Sequence, residues 1–330
     1  MRVAVLGAGA IGGFVGSMLA RSGTDVTLIA RGEHLAAIRR DGLRLLVDGR
    51  DMVIDVAATD DPGVIGVVDV VLLGLKAYSY ASCGPLLAPL LGPETSVVAA
   101  QNGIPWWYFH RQGGPFDGRR IQSVDPDGAV SAVIAPERAI GCVPYPAAEI
   151  VAPGVIRHLE GMQFPLGETD RSKSDRCRQF AEAMTAAGFR SPVTDIRPQI
   201  WLKLMGNAAF NPISALTHST MAEISAHPAS RALVVRLMEE IAEIAAAIGD
   251  PPPSSITIER RLAGAERVGH HKTSMLQDLD AGKPLEVDAL LGAVVEIADM
   301  VGAEAPNLRA VHATVALLDS TRQGRRADRP

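Results

Sequence analysis

The segment Gly7-Ala8-Gly9-Ala10-Ile11-Gly12 limits what this chain can fold into more than any other. A lone G-x-G-x-x-G is weak evidence in a chain holding 32 glycines, but its surroundings here are specific. The run Val3-Ala4-Val5-Leu6 before it is continuously apolar, as in a parallel strand covered on both faces. Ile11, Phe14, Val15, Met18 and Leu19 after it recur at helical spacing, Gly23 ends that helix, and Val26–Ile29 reads as a second buried strand. Such a βαβ unit places a dinucleotide pyrophosphate at a helix N-terminus. Gly7 makes the tight turn, Gly9 admits the phosphates, and Gly12 lets helix and strand pack closely.

Further strands are predicted at Val70–Leu75, Val97–Ala100, Ala139–Val143, Val155–Leu159, Met162–Leu166 and Phe189–Val193, and a helix over Arg171–Ala187. Leu43–Val56 alternates around Asp48-Gly49, a hairpin signal. Strand and helix alternation predicts a doubly wound α/β domain over residues 1–193, interrupted by a Trp-, Gly-, Pro- and Asp-rich insertion at about 104–138. From Arg197 onward only helical signals appear: Ile200–Leu216, Ser230–Ile248, Ser254–Leu279, Pro284–Val301 and Leu308–Ser320. Residues 194–320 therefore read as an all-helical domain and 321–330 as a frayed basic tail.

The residue after the second strand selects the cofactor. NAD sites place an acid roughly 20 residues past the glycines to accept the ribose 2′-hydroxyl, and this chain has Arg31 there. A guanidinium pairs bidentately with a 2′-phosphate, which an acid would repel, so NADP(H) is the expected cofactor. Ligands of such sheets lie beyond the strands' carboxyl ends. Lys76 and Asn102 follow two of them, with Gly103 letting the backbone turn.

The helical half carries its own stripe. Lys203, Asn207 and Asn211 fall at i, i+4 and i+8, within an arc of roughly 80°. Asn is a poor interior helix former, so two of them beside one Lys fit a cavity better than a solvated face. Glu286, just past Pro284, reads by itself as an acid in the first turn of a helix. His270-His271 are adjacent and lack a carboxylate cluster at ligand spacing, so a surface pair is expected and no metal site.

Composition excludes other classes. Charged residues are 21%, aromatics 4% and net charge −5, which suits neither nucleic-acid binding nor a membrane span. Three scattered cysteines imply no disulfide framework, consistent with a cytoplasmic protein.

Together these residues resemble the ketopantoate reductases (2-dehydropantoate 2-reductases), NADPH-dependent enzymes of pantothenate and coenzyme A biosynthesis. The likeness spans Gly7–Gly12, Arg31, Leu75-Lys76-Ala77, Gln101-Asn102-Gly103, Trp201–Leu204 with Asn207 and Asn211-Pro212, Lys272–Asp278 and Glu286-Val287-Asp288. It implies an N-terminal Rossmann-like domain joined to a helical domain, with the site in the cleft. It also implies Lys203 as proton donor, Asn207 and Asn211 as substrate-binding, and Ser274 on the substrate carboxylate. Glu286 would be an acid near the cofactor ribose and reacting centre, bonding the substrate hydroxyl or Lys203. Lys76 and Asn102 would line the nicotinamide end, and Ala148 would match a small residue whose backbone touches the cofactor.

Two departures stand out. No third Asn follows Asn211 in Leu216–Met221, and the insertion opens with Trp106-Trp107-Tyr108-Phe109, which either lines the substrate pocket or plugs the insertion to the core. The expected reaction is reduction of 2-dehydropantoate to pantoate. The alternatives are reduction of a different 2-oxo acid in a pocket reshaped by Trp106-Trp107, and NADPH sensing without turnover. The expected partner is a small 2-oxo acid; a homodimer is left open.

Overall fold

Val3–Leu6 of β1 (Arg2–Leu6) are fully buried because this strand lies inside a sheet covered on both faces. The computed structural model describes residues 1–268 and 272–327. β1 leads through α1 (Ala10–Arg21) to β2 (Asp25–Ile29) and α2 (Gly32–Asp41), then to the hairpin β3 (Leu43–Val47) and β4 (Arg50–Ile54). β5 (Ala57–Thr59), β6 (Val70–Leu73), α3 (Gly84–Leu87) and β7 (Ser96–Ala100) follow. After the insertion, with α4 (Ala129–Val133), come β8 (Ala139–Cys142), β9 (Ala147–Ala152), β10 (Val155–Glu160) and β11 (Leu166–Glu168).

The strands divide into two sheets. Seven lie in the order β11-β8-β7-β6-β1-β2-β5, all parallel except the β8/β11 pair. The order reverses direction at β1, so the switch point that binds ligands in such sheets falls at the glycine loop. The other four form a smaller sheet, β4-β3-β10-β9. The hairpin turns at Asp48 and Gly49, both with positive φ (48° and 73°), matching strand twist. Its strands join the smaller sheet, which packs on the outer side of α1; Phe14 of α1 stacks on His158 of β10 at 4.8 Å.

The remaining helices are α5 (Asp175–Ala186), α6 (Ile196–Thr217), α7 (Met221–Ala226), α8 (Pro228–Ala247), α9 (Ile258–Val268), α10 (Ser274–Asp280), α11 (Ala293–Val301) and α12 (Pro306–Ala327). α6 is buried along most of its length at the centre of this bundle. One apolar core runs from the main sheet (Val71, Leu73, Val97, Ala99) through Trp106–Phe109 into α6, α8 and α12. A second joins the opposite face of that sheet to α1, α5 and the smaller sheet.

Several expectations need correction. Phe189–Val193 makes only isolated bridges, Arg190 with Gln163 and Val193 with Leu166, and the strand expected at Met162 begins at Leu166. Ser254–Leu279 is two helices, because Thr273 caps α10 by accepting from the Leu276 N–H. Pro284 and Glu286 precede their helix, which starts at Val287 and passes through a π-turn at Asp288–Gly292. α12 continues past Ser320 to Ala327, tied by Arg322 donating to the Leu279 carbonyl. His270 and His271 lie outside the described residues.

Candidate active site

The glycine loop leaves α1 with no side chain capping its first turn, so its N–H donors are available to an anion. Gly7 has φ of 97°, and a Cβ at position 12 would lie 2.2 Å from the Gly7 carbonyl oxygen, so neither position admits a side chain. Gly74, at the end of β6, packs against the same carbonyl and completes the cradle. Sequence reading passed over it, although it stands at a strand end like Lys76. Ala8 is buried and its N–H donates to Ile29 O, while Gly9, Ala10 and Ile11 are partly open. Arg31 is exposed at the end of β2; Arg39 nearby is engaged by Asp60 at 3.2 Å, whereas Arg31 has no ion pair among the described residues. An open, uncapped helix end and a free guanidinium one strand away fit a phosphorylated dinucleotide.

Across the cleft, three polar clusters meet. Lys76 Nζ donates to Asp278 Oδ2 at 2.6 Å and Glu286 Oε2 at 3.0 Å, and the Ala77 N–H reaches Glu286 Oε1 at 3.5 Å. Burial alone would lower the Lys76 pKa, but the two carboxylates outweigh it and raise it above its ordinary value. Lys203 Nζ donates to Asn102 Oδ1 at 2.7 Å and to the Pro144 carbonyl, and Asn207 Nδ2 shares Asn102 Oδ1 at 3.5 Å. Asn211 Nδ2 donates to Ser274 Oγ at 3.4 Å. Thus Asn102 sits at the cleft because Gly103 (φ 79°) presses its backbone against Ala289, where a Cβ would lie 2.1 Å from the carbonyl oxygen. The Ile104 N–H donates to that same oxygen at 2.8 Å, which ties sheet to π-turn.

Burial pushes the Lys203 pKa down to about 7; Cys142 and Glu286 oppose the shift, and Arg261 and Lys76 reinforce it. Burial also drives the Cys142 thiol up to about 12. Two of three ammonium protons are engaged, leaving the third for a ligand.

Not every expected residue converges. Ala148 lies in β9 opposite His158 and packs into the second core, four residues beyond Pro144. Glu286 bonds Lys76 rather than Lys203. Trp106, Trp107, Tyr108 and Phe109 are all buried, with Trp106 Nε1 donating to Ile134 O at 3.0 Å, so the cluster plugs the insertion to the core. Trp107 alone also lines a cavity with Gln101, Cys142 and Lys203. Asp278 was missed as a site residue because an acid inside a short helix carries no signal of its partner 202 positions away.

A glycine loop that fits a dinucleotide phosphate, together with a buried lysine whose pKa is pushed down to about 7, fits one class: an oxidoreductase dependent on a nicotinamide dinucleotide. Residues 3–106 match the family model of ketopantoate reductase PanE/ApbA, and residues 195–319 match that of its C-terminal domain. The chain belongs to the ketopantoate reductase family. It is 49% identical to a 2-dehydropantoate 2-reductase of Mesorhizobium japonicum over 96% of this chain and 97% of the other. It superposes on a candidate ketopantoate reductase from Ralstonia solanacearum MolK2 with TM-score 0.91 and 39% identity, covering 98% of both chains. The Geobacter metallireducens GS-15 2-dehydropantoate 2-reductase gives TM-score 0.84 at 27% identity, covering 96% of this chain and all of the other.

Proposed function

We propose that this chain reduces 2-dehydropantoate to pantoate with NADPH, Lys203 donating the proton, in the pathway to pantothenate. The observation that carries this reading is the buried Lys203 ammonium, held by Asn102 and Pro144 with one proton unengaged and a pKa near 7. NADPH, when bound along the glycine loop and Arg31, supplies hydride to the carbonyl carbon. Lys203 gives its free proton to the carbonyl oxygen, and its charge stabilises the alkoxide as it develops. Asn102 and Asn207 fix the lysine's approach, and Asn211 with Ser274 offers donors to the rest of the acid. Glu286 holds Lys76, so its influence on Lys203 is through the field, favouring the charged form.

Steady-state NADPH oxidation across a panel of 2-oxo acids tests the substrate. 2-Dehydropantoate is expected to lead in kcat/KM by orders of magnitude, and a better alternative acid would displace it. Arg31→Ala tests the cofactor. KM for NADPH should rise about tenfold or more, the scale of a lost charge-assisted contact, with NADH little affected; equal rises would remove the 2′-phosphate contact. A cytoplasmic setting is supported by three unpaired, buried cysteines. No described helix is long and apolar enough to cross a membrane.

A further inference from the structure

We infer that Arg261 is the cationic anchor for the substrate's carboxylate, a role that rests on the 2-oxo acid reading above. Arg261 stands on α9, and its guanidinium lies down on α6 over Gly206, where a Cβ would come 2.3 Å from Nη2. Nη2 donates to the Lys203 carbonyl at 3.4 Å, its single hydrogen bond among the described residues. No carboxylate there pairs with it, whereas Arg176 is paired with Glu168 and Arg138 donates to the Gly92 and Thr95 carbonyls. A half-buried guanidinium with one weak partner keeps donors open for an anion. Its neighbours also mark the place. Tyr145, whose ring lies 5.6 Å from Lys203 Nζ, feels the guanidinium's charge, as does Lys203 itself.

The chemistry of the acid selects the role. In a 2-oxo acid the carboxylate is bonded to the very carbon whose oxygen Lys203 protonates, so its anchor must lie close beside that lysine. A guanidinium fork binds a carboxylate in two parallel hydrogen bonds and fixes its plane. The pair Asn211 and Ser274 supplies only neutral donors, and no third Asn follows Asn211 within Leu216–Met221. Arg261 supplies the charge that those groups lack.

The test compares wild type, Arg261→Ala, Arg261→Lys and Gly206→Ala, using 2-dehydropantoate and its neutral primary amide as substrates with NADPH. Arg261→Ala is expected to raise KM for the acid on the order of 10- to 100-fold, the scale of a charged hydrogen-bonded pair. The amide's kcat/KM should stay within about threefold and the NADPH dissociation constant within about twofold on that assignment, since neither contact uses the guanidinium. Arg261→Lys should recover part of the loss by restoring the charge without the fork. Gly206→Ala, which favours the helix intrinsically, should still raise KM for the acid by displacing the guanidinium. Equal losses on acid and amide, or a shift confined to NADPH, would overturn the assignment even if the alanine variant is unstable, since Gly206→Ala reports independently. Wild type that reduces no 2-oxo acid defeats the functional reading and this inference together; an active wild type with unchanged variants defeats this inference alone.

Discussion

Lys203→Ala is expected to lower kcat at least about a hundredfold, the low end for a positioned acid that also stabilises charge in the transition state. Substrate KM should change far less, because the lysine's tightest contact is formed as the alkoxide develops. The pH profile supplies the sharper check. Burial holds the Lys203 pKa near 7, with Cys142, Glu286, Arg261 and Lys76 as the charged or titratable groups acting on it. Reduction requires the ammonium, so kcat/KM should be level below that value and fall about tenfold per pH unit above it. Oxidation of the 2-hydroxy acid requires the free amine and should show the opposite slope. Lys203→Arg stays charged throughout and should abolish the alkaline fall while remaining slow, since the fork cannot reproduce the ammonium's geometry. A near-normal kcat in Lys203→Ala, or a level wild-type profile from pH 6 to 9, would assign the proton to another donor.

Asp250→Ala should be the most destabilising single change away from the cleft, by about 3–5 kcal/mol, the scale for breaking a buried pair. Asp250 is fully buried just before the Pro251-Pro252-Pro253 run. Its carboxylate accepts from Tyr108 Oη at 2.7 Å, Gln112 Nε2 at 3.3 Å and Arg171 Nη2 at 2.5 Å. Trp201 Nε1 of α6 in turn donates to Tyr108 Oη at 2.7 Å, and Arg197 Nε to the Tyr108 carbonyl at 2.9 Å. Insertion, α6 and the end of α8 are thus fastened at one carboxylate. Tyr108→Phe removes a single donor and should lose only about 1 kcal/mol. Urea unfolding measures both, and the KM values should hold in the folded variants. A loss below about 1 kcal/mol for Asp250→Ala, or altered KM with full stability, would return the insertion to the substrate pocket.

Legibility from sequence followed the range of the interaction. The glycine loop could be read because turn, phosphate approach and helix packing are demands of six consecutive residues. The Lys203, Asn207, Asn211 stripe could be read because helical periodicity places neighbours without knowledge of the partner. Asp48-Gly49 announced its hairpin through turn chemistry, yet the sheet that hairpin joins depends on β9 and β10, roughly a hundred residues away in a separate stretch of chain. Phe189–Val193 had strand composition but met only two bridging partners, so tertiary pairing overrode propensity. Asp278 and Arg261 were passed over for one reason: each sits in an ordinary amphipathic helix, and its meaning comes from what folds against it. The aromatic run left pocket lining and core plugging both open, and only packing placed all four rings in the core, with Trp107 also at the lysine's cavity.

By itself, the amino-acid order determined an α/β half that opens on a glycine loop, a helical half bearing an amine and two amides on one face, and a guanidinium in place of an acid after the second strand. These follow from local sterics, hydrogen-bond capacity and periodicity, which act over a few residues. Tertiary structure alone decided that Lys76 spends its charge on Asp278 and Glu286, that Lys203 is stripped of water until its proton is transferable near pH 7, and that Arg261 rests unpaired beside it. Desolvation and ion pairing depend on which distant groups share a low-dielectric space, and folding creates that space.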